Sequence, residues 1–244
     1  MGQAIGPLSD RRVVVLGGTS GIGFGVAAAA AEAGAEVVVA SSRQSSVDKA
    51  LAELPATATG RALDLADHGK VNALFAELGE IDHLVFTAGE PLSMMPIETL
   101  DPDTARGFFG LRYFGALSAV HAAAPHLRTG GSITLTSGSA AERGGPGWSV
   151  AASICGAVEA LTRSLAVELA PLRVNAVAPG VVRSPLWRGM DEADREGMYQ
   201  QIGAGLPAGR IGEVADVAQA YLYCMTQDWT TGTVLHIDGG TLLV

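Results

Sequence analysis

The chain is poor in lysine, cysteine and aromatic residues, and it has no long unbroken hydrophobic run. Lysine stands only at positions 49 and 70. Sixteen basic residues face 25 acidic ones, for a net charge of −9. Nucleic acids and anionic membranes are held by clustered Lys and Arg, and no such cluster is present, so neither is expected as a partner. The two cysteines, Cys155 and Cys224, lie in unrelated contexts. They exclude a disulfide framework or a CxxC centre and fit a reducing compartment. No apolar run approaches the roughly 18 residues of a spanning helix. The opening MGQAIGPLSDRR lacks the apolar core of a secretory signal. Gly6 stands where myristoylation requires Ser or Thr. A soluble, cytoplasmic protein is expected, with residues 1–7 as a flexible tail. The five histidines are scattered. His121 and His126 are five apart, a spacing that does not place them on one helix face. There is no HExxH, and no metal site is expected.

What is abundant is apolar sequence, 48% of 244 residues, enough for one sizeable core. Segments 13–16, 36–40, 83–86, 132–136, 173–178 and 233–237 read as strands. Helical patterns occupy 22–33, 46–54, 67–78, 101–126, 150–170 and 213–226. Strands separated by helices indicate βαβ units and a parallel sheet. The strands are almost continuously apolar, which suits a sheet covered on both faces. A single α/β domain over residues 8–244 is expected, a doubly wound parallel sheet flanked by helices. The long Gly/Pro-punctuated segment 180–212 follows a strand. Its position predicts a lid over the crevice at the strands' carboxyl ends, and its acidic middle reads as a short helix.

The turn VVVLGGTSGIG (13–23) places Gly17, Gly21 and Gly23 between the first strand and the first helix. Glycine lets the backbone bend tightly, and the helix N-terminus beyond it favours an anion. Gly17, Thr19, Ser20, Gly21, Ile22 and Gly23 are therefore candidate binders of a nucleotide diphosphate. The second strand ends in Ser41-Ser42-Arg43, with no acidic side chain. Two hydroxyls and a guanidinium suit the 2′-phosphate of NADP(H). NADP(H) is favoured over NAD(H), which an acidic residue here would select.

The spacing Gly-x-x-x-Gly-x-Gly resembles the short-chain dehydrogenase/reductase family, and the likeness extends over nearly the whole chain. Asp64-Leu65 is similar to the family's adenine-contacting segment. Thr87-Ala88-Gly89 resembles its Asn-Asn-Ala-Gly turn. Asn175 and the run Ala178-Pro179-Gly180, with Val182 and Ser184 after it, resemble the segment beside the nicotinamide. The resemblance implies a Rossmann-type fold and cofactor contacts at Asp64, Leu65, Thr87, Ala88, Gly89, Pro179, Gly180, Val182 and Ser184. It also implies a homodimer or homotetramer joined through the long helices.

The same resemblance exposes a gap. The family's chemistry uses an Asn-Ser-Tyr-Lys tetrad. Aligned on GAVEALTRSLAVELAP (156–171), the four positions fall on Gly110, Gly138, Ala151 and Cys155. Residues 144–160 contain neither Tyr nor Lys. Glu90, after the Ala-Gly turn, is a candidate proton donor; a solvated loop acid is the alternative. Ser137 and Ser139 are candidates for orienting a carbonyl, or for capping a turn. Cys155 reads as a small core residue, Trp148 and Trp187 as packing or pocket wall, and Arg112 and Tyr113 as structural. Three functions follow. The first is an NADP(H)-dependent oxidoreductase acting on a small, largely apolar carbonyl or alcohol through a non-standard proton donor. The second is an inactive cofactor-binding sensor or structural subunit. The third is a non-redox isomerase or lyase on the same scaffold.

Overall fold

The computed structural model describes residues 6–91 and 94–244. Seven parallel strands form one sheet: β1 (Arg12–Leu16), β2 (Glu36–Ser41), β3 (Thr59–Ala62), β4 (Ile81–Phe86), β5 (Leu127–Thr136), β6 (Arg173–Pro179) and, after the pair below, β9 (Val234–Ile237). Their order is β3-β2-β1-β4-β5-β6-β9. The chain winds outward from β1 to β3, then crosses back to β4, so β1 and β4 are neighbours at the point of reversal. In such sheets a crevice opens there, at the carboxyl ends of the strands.

Alternate residues of each strand serve opposite faces. Val13 and Val15 of β1 join Val37 and Val39 in a core with α1 (Gly21–Glu32) and α8 (Val214–Thr226). Val14 and Leu16 join Leu84, Phe86, Ile133 and Leu135 on the other face. That face is covered by α3 (His68–Leu78), α5 (Ala116–Ala123) and α6 (Ser149–Glu168). Helix α6 is long and apolar enough to cross a membrane by length and composition. Here its Val150, Ile154, Val158 and Leu165 are buried in the domain core.

The apolar runs predict six of these seven strands. They miss β3, whose TGRA carries no apolar run and leaves Thr59, Arg61 and Ala62 exposed. It is an edge strand held by backbone pairing to β2. Helix α2 (Gln44–Glu53) begins two residues before the expected start. The helix expected over 101–126 is helical from Pro102 to His126 but not regular throughout. It divides into α4 (Pro102–Phe109), a π-helical turn at Gly110–Gly115, α5 and a short 3-10 turn at Ala124–His126. Glycine at 107, 110 and 115 weakens a regular helix at this point. The segment 180–212 is more ordered than a loop. It contains β7 (Val182–Arg183), α7 (Glu192–Gly205) and β8 (Gly212–Glu213). Strands β7 and β8 pair in parallel and clasp the two ends of the excursion together. At the amino end, Leu8 is buried and its amide donates to Ala33 O at 3.0 Å. Gly6 packs against the same carbonyl. Gly6 and Pro7 thus belong to the packed turn rather than to the expected tail; residues 1–5 lie outside the described ones.

Candidate functional site

One cavity of about 600 Å³ lies along the carboxyl ends of β1 to β6. Gly17, Thr19, Ser20, Gly21, Ile22 and Gly23 line it at the start of α1. Gly17 has φ +88, and a Cβ there would meet Ala88 N at 2.6 Å. A Cβ at Gly23 would meet Gly17 O at 2.3 Å and Thr87 Oγ1 at 2.4 Å. Only glycine allows the loop to fold this tightly under the helix. Ser20 occupies the N-cap of α1, yet its hydroxyl makes no capping bond, and the first turn carries no acidic residue. The leading amides of α1 are thus free of side-chain partners and face the cavity, a ready anion site.

At the end of β2 the lining continues through Ser41, Ser42 and Arg43. Helix α2 adds Ser46 and Lys49. Lys49 escaped the sequence reading because it lies a turn and a half beyond Arg43, inside the helix. Asp64 and Leu65 line the wall after β3, and Asp64 Oδ1 accepts from Ala66 N at 3.0 Å. Thr87, Ala88 and Gly89 follow β4. The Thr87 hydroxyl is already used, donating to Leu16 O at 3.1 Å.

The inner end is built around a guanidinium. Arg112 projects from the π-helical turn into the cavity lining. Its side chain is only 23% exposed. An Nη2 hydrogen bond goes to Glu90 O, and Nε lies 3.5 Å from Glu90 Oε2. Among the described residues, neither Nε nor Oε2 has a hydrogen-bond partner. Gly89 is what admits the guanidinium, since a Cβ there would sit 2.6 Å from Nη1. Burial lowers the Arg112 pKa, and Glu90 and Cys155 oppose that shift. Arg112, read from the sequence as structural, holds Glu90 and also lines the cavity. A cation set in an apolar helix was the available signal, and the π turn is what swings it inward. Gly110, which opens that turn, does not line the cavity; Leu111 and Arg112 do.

Ser137, Gly138 and Ser139 follow β5 and line the same end. Ser137 Oγ donates to Glu159 Oε1 at 2.9 Å, with Cys155 O at 3.2 Å as its second neighbour. A Cβ at Gly138 would lie 3.3 Å from Cys155 Sγ. Ser139 opens a short 3-10 turn, and its carbonyl accepts from Glu142 N and Arg143 N. From α6 come Trp148, Ala151 and Cys155. Burial pushes the Cys155 thiol up, with Ser137 and Arg112 pulling the other way, so it favours the neutral form that was expected of a packed residue. No tyrosine lines this cavity. The buried phenol of Tyr221 bonds Thr136 Oγ1 at 2.6 Å from the α8 side, and burial raises its pKa.

Beyond β6 the lining runs through Pro179, Gly180, Val182 and Ser184 to Arg188. Only this first part of the 180–212 excursion faces the cavity; α7 does not line it. Ser184 Oγ accepts from Leu186 N. Asn175 does not line the cavity. It is fully buried and holds β6 to residues 230–233. Among the described residues, no group of three His, Cys, Asp or Glu is arranged to hold a metal ion.

Comparison with known proteins gives concordant matches. A family model described as an SDR-like Rossmann domain matches residues 5–244. A short-chain dehydrogenase/reductase, fsr5 of Gibberella fujikuroi, is 36% identical, covering 100% of this chain and 98% of the relative. The solved MalC reductase/Diels-Alderase of Malbranchea aurantiaca superposes with a TM-score of 0.90 at 33% identity, over 98% of each chain. A small-chain dehydrogenase solved in complex with NADPH gives a TM-score of 0.83 at 36% identity, over 96% of this chain and 99% of the other.

Proposed function

Because the chain belongs to the short-chain dehydrogenase/reductase family, we propose that it is an NADP(H)-dependent oxidoreductase acting on a small, largely apolar carbonyl or alcohol. The observation that carries this reading is one continuous cavity with complementary ends. The uncapped N-terminus of α1 opens its middle, Ser41, Ser42, Arg43 and Lys49 stand at one end, and Arg112 with Ser137 stands at the other. The residues fit the cofactor. The glycine cradle around Gly17 and Gly23 leaves backbone amides to meet the diphosphate. Arg43 and Lys49, helped by the serine hydroxyls, would hold the 2′-phosphate. Asp64, Leu65 and Ala88 would flank the adenosine half, and Pro179, Gly180, Val182 and Ser184 the nicotinamide half. The nicotinamide supplies or takes up a hydride at this inner end when bound.

The chain's own part is then to hold the carbonyl and stabilise the charge that grows on its oxygen. The family's Tyr and Lys positions are Ala151 and Cys155, and neither side chain does this. Arg112 is the cation that lines that end, its side chain 23% exposed. A guanidinium N–H directed at a carbonyl oxygen acts as an oxyanion-type donor. Glu90 faces Arg112 and fixes its position. Ser137, oriented by Glu159, is the neighbouring hydroxyl. The proton for the product alkoxide arrives from solvent through the open cleft.

A second reading has its own support. The emptied tetrad leaves little acid–base machinery, and the superposable MalC protein is described as a reductase/Diels-Alderase. Both favour a non-redox reaction in the same cleft, organised by shape and Arg112. Association with a second copy is also proposed, as a homodimer or homotetramer. Exposed Phe114, Leu117 and Val167 on the outer surface of the helical layer support it. The deciding experiment titrates NADPH and NADH into the protein while following melting temperature, then assays carbonyl-dependent NADPH oxidation. NADPH stabilisation with turnover is expected. Stabilisation without turnover on any carbonyl rejects the oxidoreductase reading and favours the non-redox one or an inactive cofactor-binding subunit, and no stabilisation by either nucleotide rejects the cofactor site.

A further inference from the structure

The proposed reaction leaves one feature of the cleft unused. Trp148 and Trp187, from different parts of the chain, meet at its wall with ring centroids 6.4 Å apart and planes at 60°. Both line the cavity. Trp187 lies in the 3-10 turn after Ser184, and its Nε1 donates to Val182 O at 3.1 Å, which fixes the indole. Trp148 stands at the N-cap of α6 and packs on Gly145, where a Cβ would lie 3.3 Å from its Cδ1. Tryptophan occurs only three times in the chain. The third, Trp229, is 95% exposed and does not line the cavity.

Resting on the oxidoreductase reading above, we infer that the Trp148–Trp187 corner selects the substrate, favouring carbonyl compounds built on a flat aromatic ring over aliphatic ones of similar size. Two fixed indoles at 60° present the face of one ring and the edge of the other. Aromatic guests gain from face and edge contacts beyond the area they bury, and aliphatic guests do not. Trp148, Ala151 and Cys155 follow one another along one side of α6, seven residues from first to last. At the helical rise that separates Trp148 from Cys155 by about 10 Å. A bicyclic body thus fits over Ala151, against the indoles, with its carbonyl turned inward toward Arg112. The small side chains at 151 and 138 open the floor of this path.

The test uses the full chain with Trp229→Phe as background, so that fluorescence reports the two cavity indoles. The probes are 2-naphthaldehyde and cyclohexanecarboxaldehyde. In the protein loaded with NADP+, which cannot reduce either probe, 2-naphthaldehyde is expected to quench the indole emission and the aliphatic aldehyde is not. The ratio of kcat/KM for the aromatic over the aliphatic aldehyde should fall about tenfold in Trp187→Leu and in Trp148→Leu. It should recover in large part in Trp187→Phe, which keeps an aromatic face and so separates ring recognition from simple loss of fold. A ratio near one in the parent, or a ratio the leucine variants leave unchanged, overturns the inference while NADPH binding stands. Failure of NADPH to bind overturns the reading beneath it, and this one with it.

Discussion

Arg112 Nε lies 3.5 Å from Glu90 Oε2, and among the described residues neither atom has a hydrogen-bond partner of its own. The two side chains form a partly buried ion pair at the inner end of the cleft. Arg112 lines the same cavity as Ala151 and Cys155, the positions of the family's phenol and amine. Arg112→Leu is therefore expected to lower kcat/KM for NADPH-dependent aldehyde reduction by about 10²-fold, the scale of losing one oxyanion donor. NADPH affinity, read by fluorescence titration, should stay within about threefold, because Arg112 stands apart from the phosphate end of the cavity. Glu90→Gln should cost far less, since Glu90 O still accepts from Nη2. Equal losses in the two variants would move the proton donor back to Glu90.

Cofactor choice depends on two cations that sit at one end of the cavity, Arg43 and Lys49. Both are exposed, so salt screens their pull on a phosphate. Replacing both by alanine should weaken NADPH binding about tenfold and leave NADH binding within about twofold. Raising the salt concentration should narrow the NADPH advantage of the parent and have little effect on the double variant. If NADPH and NADH weaken together, the pair contacts something other than the 2′-phosphate.

The apolar runs made the sheet legible, because buried parallel strands need little except β-branched and aliphatic side chains. The glycine loop was legible for a different reason. Gly17 and Gly23 leave no room for a Cβ, so the packing itself demands the motif. The strand β3 was not legible, since its pairing is backbone pairing and TGRA offers no side-chain pattern. Arg112 was read only as structural; its place in the cavity lining comes with the π turn at Gly110–Gly115, a local departure that a 3.6-residue period does not contain. Asp64 and Lys49 show the same contrast. Asp64 follows a motif, whereas Lys49 reaches the cavity only through the way α2 packs beside β2.

His83 couples stability to pH. It is buried in β4, bonded to Ser132 Oγ at 2.9 Å. Burial drives its pKa down to about 4; Asp82 resists, while Arg173 and Arg11 assist. The unfolded chain, with an ordinary histidine at 6.5, binds the proton first. Stability is complete above that value and is lost as pH falls toward the folded value. The loss amounts to roughly 3 kcal/mol by the bottom of the window. Urea unfolding at several pH values across that window should show the decline, and His83→Gln should flatten it. Asp82 responds only further down. Burial works against its carboxylate, but the Arg12 amide, Arg11 and Arg128 hold its pKa below the ordinary one. A decline that survives unchanged in His83→Gln would assign the coupling to another group.

Asn175 provides the sharpest separation of fold from site. The resemblance places it in the segment beside the nicotinamide, yet its side chain is fully buried. Nδ2 donates to Thr230 O at 2.8 Å, and Oδ1 accepts from Thr233 N at 3.1 Å. The side chain thus satisfies two backbone groups just before β9, and it clasps that edge strand to β6. Asn175→Leu has similar volume but leaves both backbone groups without partners, at a cost of about 3 kcal/mol. For a domain of this size the melting temperature should fall by roughly 6–12 °C. The stabilisation produced by saturating NADPH should match that of the parent, because the residue does not line the cavity. Calorimetry with and without NADPH checks both parts. A variant that keeps its melting temperature but loses the NADPH increment would make Asn175 a cofactor residue after all.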